Sequence, residues 1–327
     1  MKTRILPAHT REESIRAADA AAKLLRDGEA VALPTETVYG LAADALNPAA
    51  VAKIFEAKER PRFDPLIVHL PGLSWLEQVA VITDETRAVL EQLIARFWPG
   101  PITLVLPRKE IIPDLIAAGL ETVAVRMSAH PVFAETIREF GRPLAAPSAN
   151  RFGRISPTTA EHVREELDGR ISLIVDAGPT THGIESTIVA IRSGELEILR
   201  RGAITEEALS EFGIVRAISS NAKLQAPGQL PSHYAPATEL VLVNEPSNFV
   251  QPKNKRCGLL AWRATLPQFC EARALSERGD MPEAAANLFR ILRELDHANL
   301  DLIIAEEVPN EGLGKTINDR LRRAAQR

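Results

Sequence analysis

Cysteine is nearly missing from this chain: Cys257 and Cys270 are its two, both late, with no CxxC spacing. That excludes a disulfide framework and a cysteine-rich zinc site, and it suits a reducing cytosol. An excess of positive charge is missing too, since 39 Lys plus Arg stand against 43 Asp plus Glu, a formal −4. A whole-chain basic footprint for nucleic acid is thereby excluded, and any polyanion site has to be a local cluster. Aromatics are few, at 10 Phe, 3 Trp and 2 Tyr, which disfavours a dedicated base-stacking RNA platform. No apolar run reaches the ~18 residues of a membrane span, and the opening MKTRILPAHTREES holds no signal-peptide core. The expectation is a soluble, cytoplasmic protein without a membrane partner. What is present is ordinary globular usage, 45% hydrophobic and 25% charged over 327 residues. At ~150 residues per domain that is about two domains, each able to bury a core.

Helix and strand patterns alternate through the first two hundred residues. Ile15, Ala18, Ala22 and Leu25 mark an amphipathic helix stopping at Gly28, Asn47-Pro48 starts another, and Thr83 opens a third that ends at Trp98-Pro99. Short apolar runs at 30–33, 66–70, 102–106, 122–127, 143–147, 172–176, 186–191 and 196–200 read as strands. Helical patterns separate some of these runs, at 131–140 and 158–167, but others follow one another directly. That mixture predicts an α/β sandwich with a mixed sheet. Residues 1–210 form this first domain, 211–237 read as a linker, and 238–327 as a small α/β domain with a parallel sheet.

Polar groups gather where the strands end. In LPTETVYGLAADA, the hydroxyls of Thr35, Thr37 and Tyr39 and one carboxylate stand at a sheet edge, with Gly40 read as a tight turn; they suit a small polar ligand or a turn cluster. Lys58 and Arg60 fit a polyphosphate clamp, although such pairs are usually just solvated. His69 lies in an apolar run, where a hydrogen-bonded core histidine is the simpler reading. Arg126 ends an apolar strand and needs an anion, either a ligand carboxylate or a protein partner. Ser148 and Asn150 end another strand, Ser156 follows, and Arg200-Arg201 closes the domain. Together these strand ends predict one concave, anion-seeking cavity.

The ordered segments LPTETVYGLAADA, KERPRFDPLIVHL, FWPGPITLVLP, VAVRMSAHP, APSANRFGRISPT, DAGPTTHGIESTIV and ILRRG closely resemble the threonylcarbamoyl-adenylate synthases, the YrdC-like family. The resemblance spans residues 10–205, and its most diagnostic part is the KxR…SxN set Lys58, Arg60, Ser148 and Asn150. PSHYAPATEL and GLGKTINDRLRRAA resemble the two-domain form. The resemblance implies a YrdC-like twisted mixed-sheet sandwich plus a small C-terminal Rossmann-like domain. It implies a reaction of L-threonine, bicarbonate and ATP giving threonylcarbamoyl-AMP and pyrophosphate, with Mg²⁺ accompanying ATP. The product would pass to a threonylcarbamoyl-transferase complex that modifies ANN-decoding tRNA, and tRNA itself is a candidate partner.

Carried over by resemblance, Thr37, His69, Arg126, Ser186 and the Ala146 backbone would bind threonine. Lys58, Arg60, Thr122, Ser148, Asn150, Ser156 and Arg200 would hold ATP with the cations facing its phosphates, and Tyr234 would close over the nucleotide as a lid. Relatives often carry asparagine where this chain has Asp64; a carboxylate there would repel triphosphate unless magnesium or Lys58 intervenes. On this reading Arg60→Ala empties the clamp and leaves the fold intact. GLGKT at 312–316 is not a phosphate loop, because Pro309 stands where that motif needs glycine, and it is read as a turn into the last helix. A hydrogenase-maturation carbamoyltransferase would need cysteine-rich zinc motifs that two cysteines cannot supply. The alternative from another class is a non-catalytic RNA-binding protein using the same basic cavity.

Overall fold

The computed structural model describes residues 2–217, 226–227 and 233–326; the remainder of the expected linker lies outside them. Strands β1 (Arg4–Pro7), β2 (Val31–Leu33), β3 (Gly40–Asp44), β4 (Ile67–His69), β5 (Ile102–Pro107) and β6 (Thr122–Arg126) belong to one large sheet. It is completed by β7 (Leu144–Ala145), β8 (Leu173–Asp176), β9 (Thr187–Arg192), β10 (Glu195–Arg200) and β11 (Val215–Ala217), in the order β1-β8-β2-β3-β7-β4-β6-β5-β9-β10-β11. Parallel pairs such as β4–β6 and β5–β9 alternate with antiparallel ones such as β2–β3 and β9–β10, the mixed sheet expected.

Residue alternation on the strands splits the core into two faces. Val31 and Leu33 pack with α1 (Arg11–Arg26) and α6 (Pro131–Phe140), while Ala32, Leu41 and Val68 pack with α2 (Pro48–Lys58), α4 (Asp84–Phe97) and α7 (Ala160–Leu167). The short helices α3 (Leu76–Val79), α5 (Asp114–Ala117) and α8 (Glu206–Leu209) are connectors. Thr10 and Glu13 cap α1 reciprocally, and the Asn47 side chain accepts from Ala49 and Ala50 N–H at the head of α2.

Two expectations change. Gly40 is the first residue of β3, paired with Leu33 across a hairpin, and a Cβ there would stand 3.3 Å from Ala146 Cβ; close sheet packing, rather than a turn, accounts for the glycine. β11 carries the first sheet on to residue 217, seven residues past the expected edge at 210.

A second sheet, β12 (Glu239–Val243), β13 (Cys257–Ala261), β14 (Glu271–Ala274) and β15 (Leu302–Glu306), is parallel throughout, in the order β12-β15-β13-β14. The helices α9 (Met281–Asp296) and α10 (Leu313–Ala324) accompany it. GLGKT is indeed the turn into α10, with Gly312 at φ +49°. A Cβ on Gly314 would lie 1.9 Å from the Pro309 carbonyl oxygen, so the entry is sterically closed to a side chain. The two units interlock. Gly183 lies against the Ala286 backbone of α9, Thr316 Oγ1 donates to Gly202 O at 3.1 Å, and Arg293 of α9 reaches Ile155 O at 2.5 Å.

Candidate functional site

Strand register gathers the polar ends. His69 and Arg126 are direct partners at the ends of β4 and β6, Leu144 of β7 lies opposite His69, and Gly40 bridges to Ser148. With Arg200 at the end of β10, these termini open on one cavity that encloses about 540 Å³ of space free of protein atoms, mouth included. Thr37, Arg60, His69, Arg126, Ala146 and Ser148 line it, and Arg200 and Tyr234 complete the expected residues found there. Three arginines thus share one concavity.

Arg126 meets its anion inside the protein. Its Nη2 donates to Glu36 Oε1 at 2.6 Å and to Thr37 Oγ1 at 3.1 Å, and Ser128 Oγ donates to Glu36 Oε2 at 2.5 Å. Burial alone would raise the Glu36 carboxyl, but the Arg126 charge and the two hydrogen bonds hold it down at about 2. His69 is buried against Phe133, its Nδ1 without a hydrogen-bond partner among the described residues. Burial and the Arg126 charge push its pKa down to about 3, so it is neutral at working pH.

The KxR…SxN set divides into a wall and a brace. Lys58 is fully buried behind the wall, its Nζ donating to Ser148 O at 2.6 Å and Asn150 O at 2.5 Å. Asn150 Nδ2 donates to Arg151 O and Arg154 O. Lys58 therefore holds the carbonyls of the SxN turn and, unlike Arg60, does not line the cavity. Desolvation drives its pKa down. Arg60 lines the cavity but is anchored to Asp64 (Nη2–Oδ2, 2.8 Å) and Pro65 O (2.9 Å). Asp64 is a buried counter-ion to Arg60, and its carboxyl is pushed up by burial despite that arginine.

Other expected residues lie behind the surface. Ser186 Oγ is bonded to Thr103 Oγ1 (2.8 Å) and Arg200 Nη2 (3.0 Å), while Ser156 Oγ donates to Glu185 Oε1 at 2.7 Å. Both serines are fully buried. Thr122 stands at the opposite end of β6 from Arg126, beside Pro107, and does not line the cavity. Burial lowers the Arg200 guanidinium only to about 10, which keeps its charge.

Residues of the expected linker complete the cavity wall. Tyr234, at φ +65°, is fully buried and stacked on Phe289 of α9 at 5.3 Å, with its hydroxyl unpartnered among the described residues. A positive φ at an aromatic residue persists only where the surroundings impose it. The expected lid residue is thus seated in the core between the two units. His233, in ring contact with Tyr234 at 4.0 Å, also lines the wall, and burial pushes its pKa down to about 3.

Reading the sequence counted Glu36 only as the carboxylate of a strand-end cluster and gave Glu185, His233 and Arg320 no role. Arg320 carried a signal: it sits in helical phase with Ile317, Leu321 and Ala324, a cation inside an apolar stripe.

Residues 23–202 match a family model of Sua5, YciO and YrdC proteins described as telomere recombination, and 204–326 match that of the threonylcarbamoyl-AMP synthase C-terminal domain. A threonylcarbamoyl-AMP synthase of Pyrococcus abyssi is 41% identical over 93% of this chain and 93% of its own length. One from Bacillus subtilis is 42% identical over 93% and 92%. The crystal structure of P. abyssi Sua5 complexed with L-threonine aligns with a TM-score of 0.91 at 38% identity, over 99% of this chain and 98% of that one.

Proposed function

The chain belongs to the threonylcarbamoyl-AMP synthase family in its two-domain form, and from that premise we propose that the cavity shared by Arg60, Arg126 and Arg200 joins L-threonine, bicarbonate and ATP. The observation that carries this reading is the convergence of Arg60, Arg126 and Arg200 with Thr37, His69 and Ser148 on one wall system. Threonine binds through its carboxylate at Arg126, where Glu36 and Thr37 already orient the guanidinium. ATP lies toward Arg60, Ser148 and Arg200, under Tyr234. The threonine amine takes up bicarbonate with loss of water to form a carbamate. A carbamate oxygen then attacks the α-phosphorus, and pyrophosphate leaves. The protein needs no nucleophile of its own; it aligns anions and offsets their charge. The neutral His69 is suited to accept a hydrogen bond from threonine. Tyr234 and His233 exclude water from the mixed anhydride.

Thr122, Ser156, Ser186 and Asn150 act, on this reading, at most through the residues they touch. Magnesium travels with the triphosphate rather than residing in the protein. Both oxygens of Glu36 and of Glu185 are engaged by protein donors, and no cluster of three or more His, Cys, Asp or Glu fit to hold a metal occurs among the described residues. Among the described residues no helix is long and apolar enough to cross a membrane, which accords with action in the cytoplasm beside a transferase complex that delivers the group to tRNA.

The test is pyrophosphate release by the purified protein with ATP, bicarbonate and threonine. Release requires all three. Release that continues undiminished without threonine overturns the reading, and salt-sensitive RNA affinity without ATP turnover would favour the binding-only alternative.

A further inference from the structure

Arg320 of α10 is 1% exposed, and its partners beyond its own helix lie around the cavity. Its Nε donates to Glu185 Oε2 at 3.0 Å, its Nη2 to Arg201 O at 2.6 Å, and its guanidinium carbon lies 5.0 Å from the centre of the Tyr234 ring. Within the helix, Nη1 donates to Asp319 Oδ2 at 2.5 Å. Glu185 and Tyr234 line the cavity; Arg320 does not. A buried guanidinium with this many directed contacts is held for its geometry as much as for its charge.

Glu185 poses a problem for an anion site. An ionised carboxylate in the wall repels a polyphosphate, and the low-dielectric surroundings strengthen that repulsion. We propose that Arg320 is a positioning residue for the nucleotide: acting from the second domain, it neutralises and aims Glu185 and steadies the Tyr234 ring. The wall then presents Arg60 and Arg200 to the phosphates without an opposing charge. This inference rests on the reading of the cavity as an ATP site. Burial would raise Glu185, but Arg320, Arg200 and the Ser156 hydroxyl hold it down at about 2, so the carboxylate is ionised at any working pH and its neutralisation has to be electrostatic. The Thr316–Gly202 bond and the closed turn at Gly314 set the depth of α10, and hence the reach of Arg320.

The test compares Arg320→Met, Glu185→Gln and the double variant by steady-state pyrophosphate release, with thermal melts to establish folding. Threonine-dependent release by the unaltered protein tests the underlying reading separately; if that fails, the ATP site itself is lost as a premise. Given that activity, Arg320→Met raises the KM for ATP about tenfold while the KM for threonine moves less than about twofold. The double variant returns the ATP KM to within about threefold of the starting value, because the repelling charge has gone. A merely structural role would be relieved in the melts by Glu185→Gln, which removes the stranded carboxylate, and would not shift the ATP KM apart from the threonine KM. An unchanged ATP KM in folded Arg320→Met, or a double variant no better than the single, overturns the proposal. Should Arg320→Met fail to fold, Glu185→Gln alone decides: it leaves the Arg320 charge uncompensated behind the wall, so the proposal requires its ATP KM to fall by about two- to fivefold, and a value unchanged or raised refutes it.

Discussion

Arg60 is tied to the protein on the side away from the cavity. Its partner Asp64 is wholly buried, 2.8 Å from Nη2. The sequence alone suggested that Arg60→Ala would spare the fold, and the structure corrects this. Removing the guanidinium strands a carboxylate with no access to water, at a cost of about 3–5 kcal/mol. Chemical denaturation of Arg60→Ala should show that loss, and adding Asp64→Asn should recover part of it without restoring ATP affinity. Stability equal to the parent protein would mean that Asp64 is not held by Arg60. Individual residues were legible where their type conflicted with their surroundings, as with Arg126 at an apolar strand end. Lys58 was not legible as a brace, because nothing in a KxR spacing says that its ammonium points inward to the carbonyls of Ser148 and Asn150.

Among elements, helices were easier to read than strands. The bounds of α6 agree with the pattern Pro131–Phe140, since a proline start, an apolar stripe and Gly141 punctuate it locally. β1, β3 and β14 escaped notice because RILP, GLAAD and EARA offer no apolar run of their own; their pairing comes from neighbours distant in sequence. Gly183 joins elements of the two domains. At φ +67°, with an added Cβ 2.4 Å from Ala286 O, it permits α9 to approach the loop between β8 and β9. Gly183→Ala should lower stability by about 3 kcal/mol or more through backbone strain and overpacking. Gly178→Ala, at φ +81° with nothing within 4 Å of an added Cβ, should lose only the strain, about 1–2 kcal/mol. Equal losses in thermal melts of the pair would remove the close approach as a factor.

At the scale of the whole molecule, the convergence of strand ends on one cavity could be anticipated, because polar clusters followed strand after strand. The contribution of the second domain could not: Arg320 and Arg293 meet the first domain, and Phe289 meets Tyr234 of the linker, through tertiary packing that no local pattern encodes. Two buried carboxylates, one paired within the first domain and one across the two, govern acid stability. Glu36 and Glu185 are each held at about 2, below the ordinary glutamate value of about 4.3. A depressed carboxyl contributes stability above its unfolded pKa and loses it as pH falls toward the folded value. Each therefore supplies about 3 kcal/mol at neutral pH. Urea midpoints should hold steady from pH 7 to about 5 and decline steeply toward pH 2.5. A flat profile across that lower range would contradict both ion pairs.

Gly314 shows how a substrate-binding wall can depend on a residue that no substrate meets. Any side chain at that turn has to displace Pro309 or back α10 out of its seat. Backing out would withdraw Arg320 from Glu185 like a key drawn partway from a lock. A substitution there would register as poor nucleotide affinity in a protein whose pocket residues were all intact.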